Sequence, residues 1–407
     1  MRKESPGADA GLDRWLDYIG SVHPVGWDLG LDRVASVGAK LEVLHVADTV
    51  ILVAGTNGKG STCEYLEQFA LSSNLSVGKS TSPHLSHFNE RIAVDGSPVS
   101  DADIVEAFLE IERARGDITL TYFEFATLAS LVVFKSRQLD VTILEIGLGG
   151  RLDAMNIVEP DLSIITAIAL DHQDYLGDNR EDIAREKAGI MRKGVTCLVS
   201  DRDPPASITA CASERGAKLC LIGRDFDLAP GISPALPEDS FAVAAEAARV
   251  LNWKTDQAAR IAAETRLAGR RSWVHGPRDV LLDVAHNPAA AASLADCVSG
   301  LEDYDAIHAV LGMYADKDIE AVTAALAPWI KTWHLCAGDE PRAAPPDILG
   351  RRLSVEQSGN VSTYGKISDA FAGAASNAGE RELILVFGSF PVVGACLELL
   401  DEFKLQQ

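Results

Sequence analysis

Apolar residues alternate between strand-like runs and helix-like spacings along the chain, which predicts an α/β protein. The apolar runs of the first half cover residues 50–54, 76–80, 140–147, 162–170, 195–200 and 218–222. Segments with helical apolar spacing lie between them, among them 101–113, 122–136 and 180–191, and two further helices are expected before residue 50. The run at 140–147 is almost continuously apolar, as in parallel strands that are buried on both faces. A mostly parallel sheet of the P-loop type is therefore expected.

A fresh alternation begins beyond a boundary at about residues 266–272. Its predicted strands are 279–285, 306–312, 332–336 and 383–387, with helices at 288–299, 317–327, 367–378 and 392–403. A chain of 407 residues also exceeds what one hydrophobic core usually serves. We therefore expect two domains: residues 1–266, which would bind ATP and a pterin, and residues 267–407, a smaller Rossmann-like α/β domain.

Composition narrows the classes of function. The chain carries 37 basic and 59 acidic side chains, a net charge of −22, which argues against binding to nucleic acid or to an anionic membrane surface. Seven scattered cysteines without a Cys-x-x-Cys pair indicate buried thiols in a reducing compartment. No apolar run approaches about 20 residues, so we expect a cytoplasmic protein.

The most informative stretch is Gly55-Thr-Asn-Gly-Lys-Gly-Ser-Thr62, a glycine loop between a predicted strand and a predicted helix. Glycines allow close approach of an anion, helix N–H groups point at it, and Lys59 adds a positive charge. The residues expected to hold a nucleotide are Thr56, Asn57, Gly58, Lys59, Gly60 and Ser61. The common P-loop pattern does not fit, because Val53 and Gly60 occupy two of its defining positions. A ligand-free glycine turn is the alternative.

Lys59, Glu145 and His172 each lie at or just after the carboxyl end of a predicted strand, where open α/β sheets bind ligands. A nucleotide triphosphate requires Mg²⁺, which prefers oxygen ligands such as a carboxylate and a loop hydroxyl. Glu145 fits that role, and a structural ion pair is its alternative. His172 is either a ligand or a structural hydrogen bonder. Composition alone makes Lys187 a surface lysine.

In the second half, Asp283 and Asn287 follow a predicted strand, and Arg270 lies at the domain boundary. Asp283 could accept hydrogen bonds from ribose hydroxyls, and Arg270 could bind a phosphate bidentately. A helix cap is the alternative for Asn287, and a solvated hinge charge is the alternative for Arg270.

Several motifs, taken together, resemble the folylpolyglutamate synthase/dihydrofolate synthase family of the Mur ligase superfamily. They are the glycine loop, Thr81-Ser-Pro-His-Leu85, Leu144-Glu-Ile-Gly-Leu-Gly-Gly-Arg-Leu-Asp-Ala154, Ala169-Leu-Asp-His172, Arg185-Glu-Lys-Ala-Gly-Ile190, Asp283-Val-Ala-His-Asn-Pro288, Gly312-Met-Tyr-Ala-Asp-Lys-Asp318 and Phe387-Gly-Ser-Phe390. The resemblance implies an ATP-dependent ligase that phosphorylates the carboxylate of a pteroate or folate and lets the amine of L-glutamate displace phosphate. Gly60 is then the superfamily's own form of the loop.

The resemblance also implies roles for individual residues. Ser82 and Glu145 would hold one Mg²⁺, His172 a second, and Lys187 would carry a carbamate that serves as an oxygen ligand. Arg270 and Asp283 would contact ATP. The pterin pocket would be lined by Asp28, Leu29, Gly30, Thr121, Tyr122, Phe123, Glu124, Leu152, Asp153 and Ala154, with Phe123 stacking on the pterin and Asp153 accepting its donors. Partners would be small molecules only, and the protein a monomer.

Two positions depart from the family pattern. Ser240 stands where an Asn that contacts the nucleotide is usual, and Ser272 stands where a Gln is usual. Two alternatives stay open. One is another Mur-type amide ligase that acts on a cell-wall precursor, against which Thr81-Ser-Pro-His-Leu85 and residues 28–33 speak. The other is an ATP-binding protein with reduced catalysis, which only the two serine departures support.

Overall fold

The structure is a computed structural model that describes residues 4–26, 28–338, 340–353 and 360–405. It divides into two compact units, Met1–Thr265 and Arg266–Gln407. Among the described residues, no helix is both long and apolar enough to cross a membrane.

Unit 1 is built on a sheet of eight strands in the order β4-β3-β2-β5-β1-β6-β7-β8. The strands are β1 (Ala47–Ala54), β2 (Val77–Ser80), β3 (Ile92–Val94), β4 (Ser97–Pro98), β5 (Leu139–Glu145), β6 (Leu162–Ile165), β7 (Thr196–Val199) and β8 (Lys218–Leu221). Strands β2, β5, β1, β6, β7 and β8 pair in parallel, and β3 and β4 add an antiparallel edge. The predicted mostly parallel sheet is confirmed.

The helices of unit 1 are α1 (Leu12–Val22), α2 (Asp32–Lys40), α3 (Lys59–Ser72), α4 (Asp101–Arg115), α5 (Tyr122–Arg137), α6 (Gln173–Leu176), α7 (Arg180–Lys187), α8 (Ala206–Arg215), α9 (Glu238–Val250) and α10 (Ala258–Glu264). Helix α3 begins at Lys59, two residues before the predicted start at Ser61. Gly58 permits this because it adopts a φ of 89°, a conformation that other residues rarely take. Lys59 therefore belongs to the first turn of α3.

Unit 2 contains a six-stranded sheet in the order β13-β12-β11-β14-β10-β9. Its elements are β9 (Ser272–Val274), β10 (Val280–Asp283), α11 (Pro288–Ser299), β11 (Ala306–Leu311), α12 (Ile319–Leu326), β12 (Ile330–Cys336), α13 (Pro346–Arg352), β13 (Val361–Tyr364), α14 (Ile367–Asn377), β14 (Glu382–Phe387) and α15 (Phe390–Leu405). All neighbours pair in parallel except β9, which runs antiparallel to β10. The α/β class predicted for this half is confirmed.

The structure corrects three details of the sequence-based prediction. Strand β6 ends at Ile165 rather than residue 170, because Ala167 leaves the sheet to bridge Asn57 of the glycine loop. The short edge strands β3, β4, β9 and β13 lack the long apolar runs that identified the others. All seven cysteines are free thiols, but Cys220 and Cys297 are only partly buried.

Candidate active site

Four neighbouring parallel strands, β2, β5, β1 and β6, end at the same edge of the unit 1 sheet. Ser82 follows β2, Glu145 is the last residue of β5, the glycine loop follows β1, and Thr166 follows β6. The carboxyl ends of parallel strands form the ligand-binding edge of open α/β sheets. The topology therefore gathers sequence-distant polar residues at one edge.

The glycine loop is held against the segment that follows β6. The backbone N–H of Thr56 donates to the Ala167 carbonyl at 2.8 Å, and the Thr166 hydroxyl donates to the Asn57 carbonyl at 2.7 Å. Gly55 allows this approach, since a Cβ at that position would lie 1.7 Å from Thr166 Oγ1. The loop is therefore fixed by contacts within the protein.

Lys59 and Glu145 form the centre of the site. Lys59 Nζ donates to the carbonyls of Gly55 and Thr56 at 3.2 and 3.3 Å, and it lies 3.8 Å from Glu145 Oε1. The second carboxylate oxygen of Glu145 accepts the backbone N–H of Ser82 at 3.2 Å. The sequence left open whether Glu145 forms an ion pair, and the structure shows that it pairs with Lys59.

Lys187 is buried, with 3% of its surface exposed, so the expectation of a surface lysine is wrong. Its Nζ donates to the Gly55 carbonyl at 2.8 Å, the same oxygen that Lys59 contacts. Burial, with a further contribution from the Lys59 charge, lowers the pKa of Lys187 to about 7. A substantial fraction of this amine is therefore neutral near neutral pH.

The start of α3 is suited to an anion and its counter-ion. The Ser61 hydroxyl is buried and has no hydrogen-bond partner within the described part of the chain, as expected of a group that binds a ligand. No group of three or more His, Cys, Asp or Glu side chains is arranged to hold a metal among the residues described. A metal ion that accompanies a nucleotide can take several of its ligands from phosphate oxygens and water.

His172 lies in the loop that follows β6 and precedes α6. Its φ is 51°, and its backbone N–H donates to Asp171 Oδ1 at 2.8 Å. Asp171 in turn interacts electrostatically with Lys187. The backbone thus places His172 on the ligand-binding side of the sheet, and a metal contact by its imidazole stays a prediction.

The segments predicted to line a pterin pocket are linked by ion pairs. Arg33 lies 2.6 Å from Asp28 Oδ2 and 3.2 Å from Glu124 Oε1, joining residues 28–33 to the start of α5. Thr121 and Glu124 cap α5 reciprocally, with the Thr121 N–H donating to Glu124 at 2.7 Å. Leu29 is 37% exposed. Arg33 therefore brings Asp28 and Glu124 together, whereas Thr121 and Glu124 also stabilise the start of α5.

Phe123 packs against the glycine-rich segment after β5, since a Cβ on Gly147 would meet its ring at 2.5 Å. In the same segment Asp153 is 2% exposed, and its two oxygens accept the backbone N–H groups of Leu148 and Met155 at 2.8 and 2.9 Å. Burial raises the pKa of Asp153 to about 6. Asp153 therefore fixes its own loop, and its contact with a pterin stays a prediction.

Neither Arg91 nor Thr127 is among the residues predicted from the sequence, but both line one pocket with Ser82, Glu145 and Phe123. Arg91 ends the segment 81–91, which is rich in His, Asn and Glu, and this crowd of polar residues is the signal that could have indicated a functional loop. Thr127 lies in the interior of a predicted helix, where nothing in the sequence distinguishes it from a core residue.

In unit 2 the guanidinium of Arg270 lies 5.0 Å from the centre of the Phe390 ring. Asp283 accepts the backbone N–H groups of Arg271 and Ala285 at 3.0 and 2.9 Å. Asn287 caps α11 by accepting the Ala290 N–H at 2.9 Å, so the helix-cap alternative is confirmed for this residue.

Comparisons with known proteins agree with this geometry. The Mur ligase middle domain matches residues 53–225, and the Mur ligase glutamate ligase domain matches residues 269–390. The dihydrofolate synthase/folylpolyglutamate synthase of Escherichia coli is 40% identical over 98% of both chains. The chain belongs to this synthase family.

Two solved structures extend the comparison. E. coli FolC in complex with DHPP and ADP is 38% identical, with a TM-score of 0.94 over 98% of this chain and 100% of that one. A bifunctional folylpolyglutamate synthase/dihydrofolate synthase with Mn, AMPPNP and L-glutamate bound is also 38% identical, with a TM-score of 0.90 at the same coverage. The fold of the synthase family is thus present in both units.

The two departures from the synthase family pattern have clear local contacts. Ser240, at the start of α9, donates from its hydroxyl to the Gly58 carbonyl at 3.3 Å, so it supports the glycine loop directly. Ser272 lies in β9 and donates to the Leu267 carbonyl at 3.1 Å. Neither serine stands at the position of Lys59, Glu145, His172 or Lys187, the residues that are expected to act in the reaction.

Proposed function

We propose that this chain joins L-glutamate to the carboxylate of 7,8-dihydropteroate, giving dihydrofolate, and to folates in polyglutamylation. The observation that carries the proposal is the convergence of Lys59, Glu145 and Lys187 on a superfamily-type glycine loop. The substrates are inferred from membership of the synthase family. They are also inferred from relatives whose structures contain DHPP and ADP, or AMPPNP and L-glutamate.

The reaction needs an activated carboxylate. A carboxylate oxygen of the acceptor attacks the γ-phosphorus of ATP, the bond to the β-phosphate oxygen breaks, and ADP leaves. The glutamate amine, after losing its proton, attacks the acyl carbon and displaces phosphate. Lys59 and the N–H groups at the start of α3 offset the negative charge on the phosphates, and the fixed glycine loop positions them.

Two Mg²⁺ ions would supply further charge neutralisation to the phosphates. Ser82 and Glu145 are the proposed ligands of one ion, and His172 is a proposed ligand of the other. Lys187 would contribute as a carbamate, because a buried amine with a depressed pKa is a nucleophile for CO₂, and the product is an anionic oxygen ligand.

The nucleotide and pterin contacts are assigned on the same basis. Thr56, Asn57, Gly58, Gly60 and Ser61 would bind the phosphates, and Arg270 and Asp283 of unit 2 would contact ATP. The segments 28–30, 121–124 and 152–154 would bind the pterin. Unit 1 would accordingly bind ATP and pterin, unit 2 would serve as the ligase domain, and the enzyme would act as a monomer.

The test is phosphate release from ATP in the presence of L-glutamate, with dihydropteroate and tetrahydrofolate as separate acceptors. We expect release that depends on both an acceptor and glutamate, with the amide product identified by mass spectrometry. Release that neither pteridine stimulates would refute the proposal. Stimulation by a cell-wall peptide precursor instead would favour the other Mur-type ligases.

The carbamate is tested separately with ¹³C-labelled bicarbonate. A protein-bound ¹³C carbamate resonance is expected in the unaltered enzyme and not in Lys187→Arg, whose guanidinium cannot react in this way. Lys193→Arg is the matched control, because Lys193 lies near Lys187 in sequence but is exposed. An identical spectrum for all three proteins would exclude the carbamate.

A further inference from the structure

A pocket in unit 1 adjoins the carboxylate of Glu145. It is lined by the end of β2 and its loop, by Arg91, by the first turns of α5, and by Glu145 itself. Because Glu145 also pairs with Lys59, the pocket borders the place where an acceptor carboxylate would meet the γ-phosphate.

Arg91 brings a positive charge to this pocket, and the carboxylates of Glu145 and Glu90 act on it electrostatically from beyond ion-pair distance. Its guanidinium lies 5.6 Å from the centre of the Phe88 ring and 5.8 Å from that of Tyr122. Within the described ranges it forms no ion pair, whereas Arg115 contacts Glu112 at 2.5 Å. A half-buried guanidinium with no carboxylate at ion-pair distance is suited to an anionic ligand.

The orientation of Arg91 leaves its terminal nitrogens available. Its Nε donates to His84 Nδ1 at 2.8 Å, and neither terminal nitrogen forms a hydrogen bond inside the described part of the chain. Because an arginine Nε can only donate, His84 Nδ1 is the acceptor of this hydrogen bond and fixes the guanidinium.

Thr127 supplies an independent sign of a ligand. It is 1% exposed, and its hydroxyl has no partner among the residues that the structure describes. A helical Thr or Ser usually donates to the carbonyl four residues earlier, as Ser130 does to Ala126 at 3.0 Å. An unpaired buried hydroxyl is unfavourable, and a ligand oxygen would satisfy it.

We propose that Arg91 and Thr127 bind the carboxylate of the acceptor that is to be activated. The ligand is the aryl carboxylate of a pteroate or the side-chain carboxylate of a folate, so the inference rests on the proposed function. One oxygen accepts hydrogen bonds from Arg91 and Thr127, while the other attacks the γ-phosphorus. When the amine later attacks, the same donors face the acyl oxygen on which negative charge develops.

The first test compares dihydropteroate with its carboxamide analogue, which has the same shape and no charge. Binding is measured by calorimetry in the unaltered enzyme and in Arg91→Met. The unaltered enzyme should prefer the carboxylate by about tenfold or more, and Arg91→Met should reduce this preference to about twofold or less. Equal weakening of both ligands would mean that Arg91 acts only on the fold, which overturns the proposal.

The second test uses Thr127→Val, which removes the hydroxyl and keeps the shape. This variant should unfold at the same temperature as the unaltered enzyme or higher, yet bind dihydropteroate several-fold more weakly. Thr142→Val is the matched control, because its buried hydroxyl on β5 is also unpaired in the described chain but does not line this pocket. Unchanged binding by Thr127→Val would contradict the assignment.

Different results would overturn the proposed function and the assignment of Arg91 and Thr127. If the unaltered enzyme neither binds dihydropteroate nor releases phosphate in its presence, the proposed function fails and this assignment fails with it. If the unaltered enzyme ligates glutamate but Arg91→Met keeps its preference for the carboxylate, only the assignment of Arg91 and Thr127 is overturned.

Discussion

Glu145 Oε1 lies 3.8 Å from Lys59 Nζ, with the two side chains 5% and 16% exposed. Glu145 ends β5 and Lys59 begins α3, which follows the adjacent strand β1, so sheet topology rather than sequence proximity creates the pair. Either charge alone at this depth would be poorly solvated, so the two residues should be coupled in stability as well as in function.

This coupling predicts the behaviour of Lys59→Met. The rate of phosphate release should fall by at least about 100-fold, because a charge that stabilises the transferred phosphoryl group is lost. Loss of the Lys59 charge beside the buried Glu145 should also lower the free energy of unfolding, and adding Glu145→Gln should restore stability without activity. Denaturant unfolding and acceptor-dependent phosphate release measure the two effects. Full activity of Lys59→Met would remove the phosphate role of this lysine.

Gly55→Ala should distort the glycine loop. The new Cβ would lie 1.7 Å from Thr166 Oγ1 and 3.2 Å from Thr166 Cα, so the loop or the segment after β6 must move. We expect a loss of about 1–3 kcal/mol in stability and much weaker nucleotide binding. Gly20→Ala in α1, with nothing within 4 Å of the added carbon, is the control and should be neutral or slightly stabilising.

Ser240→Ala removes the hydrogen bond to the Gly58 carbonyl and should raise the Kd for ATP several-fold with little change in fold stability. Ser272→Ala, which removes a hydroxyl bonded to Leu267 in the other unit, provides the comparison. ATP binding measured by calorimetry distinguishes them. Equal Kd values for Ser240→Ala and the unaltered enzyme would show that the loop holds its position without this contact.

A buried ion cluster secures the helix that follows the glycine loop. Lys79 of β2 contacts Glu64 at 2.5 Å and also contacts Glu67, which is 1% exposed, both on α3. Lys79→Met leaves Glu67 without its cation and should cost about 3–5 kcal/mol of stability. The triple variant with Glu64→Gln and Glu67→Gln should recover most of it in urea unfolding. A fully stable Lys79→Met would contradict the prediction.

The sequence predicted the central elements because their signals are local. Residues 140–147 are almost continuously apolar, and Gly55 to Ser61 combine glycine with a lysine before a helix. Edge strands such as β3 and β13 were missed, since strands of only three or four residues are too short to show a clear period.

Burial of polar side chains was harder to predict than strand order. Lys187 reads as a surface residue on an otherwise charged helix, and only the fold reveals that it reaches the Gly55 carbonyl. The same holds for Thr127 and Arg91. Their proposed role is evident only in the fold, where α5 and the segment before β3 line one pocket with Glu145. Such roles depend on contacts between residues that are far apart in the chain.

Unit 2 contains a histidine that should make stability depend on pH. His334 is fully buried in β12, where its ring nitrogens contact the hydroxyls of Thr332 and Tyr364 at 3.1 and 3.0 Å. Burial, with a smaller effect of His308, lowers the pKa of His334 from 6.5 to about 4. The unfolded chain therefore binds more protons between these two values, and stability should fall as the pH falls through this window.

The contribution of His334 should amount to about 3 kcal/mol across the window. His334→Gln should consequently show a shallower loss of stability between pH 6.5 and pH 4 than the unaltered protein, whatever its stability at neutral pH. Hydrogen exchange of the β12 amides, followed by mass spectrometry over this pH range, measures the stability of unit 2, which contains His334. His275→Gln is the control for the loss of a histidine outside the core of unit 2, because that side chain is 71% exposed. Parallel pH profiles for His334→Gln and the unaltered protein would show that His334 is protonated equally in the folded and unfolded states.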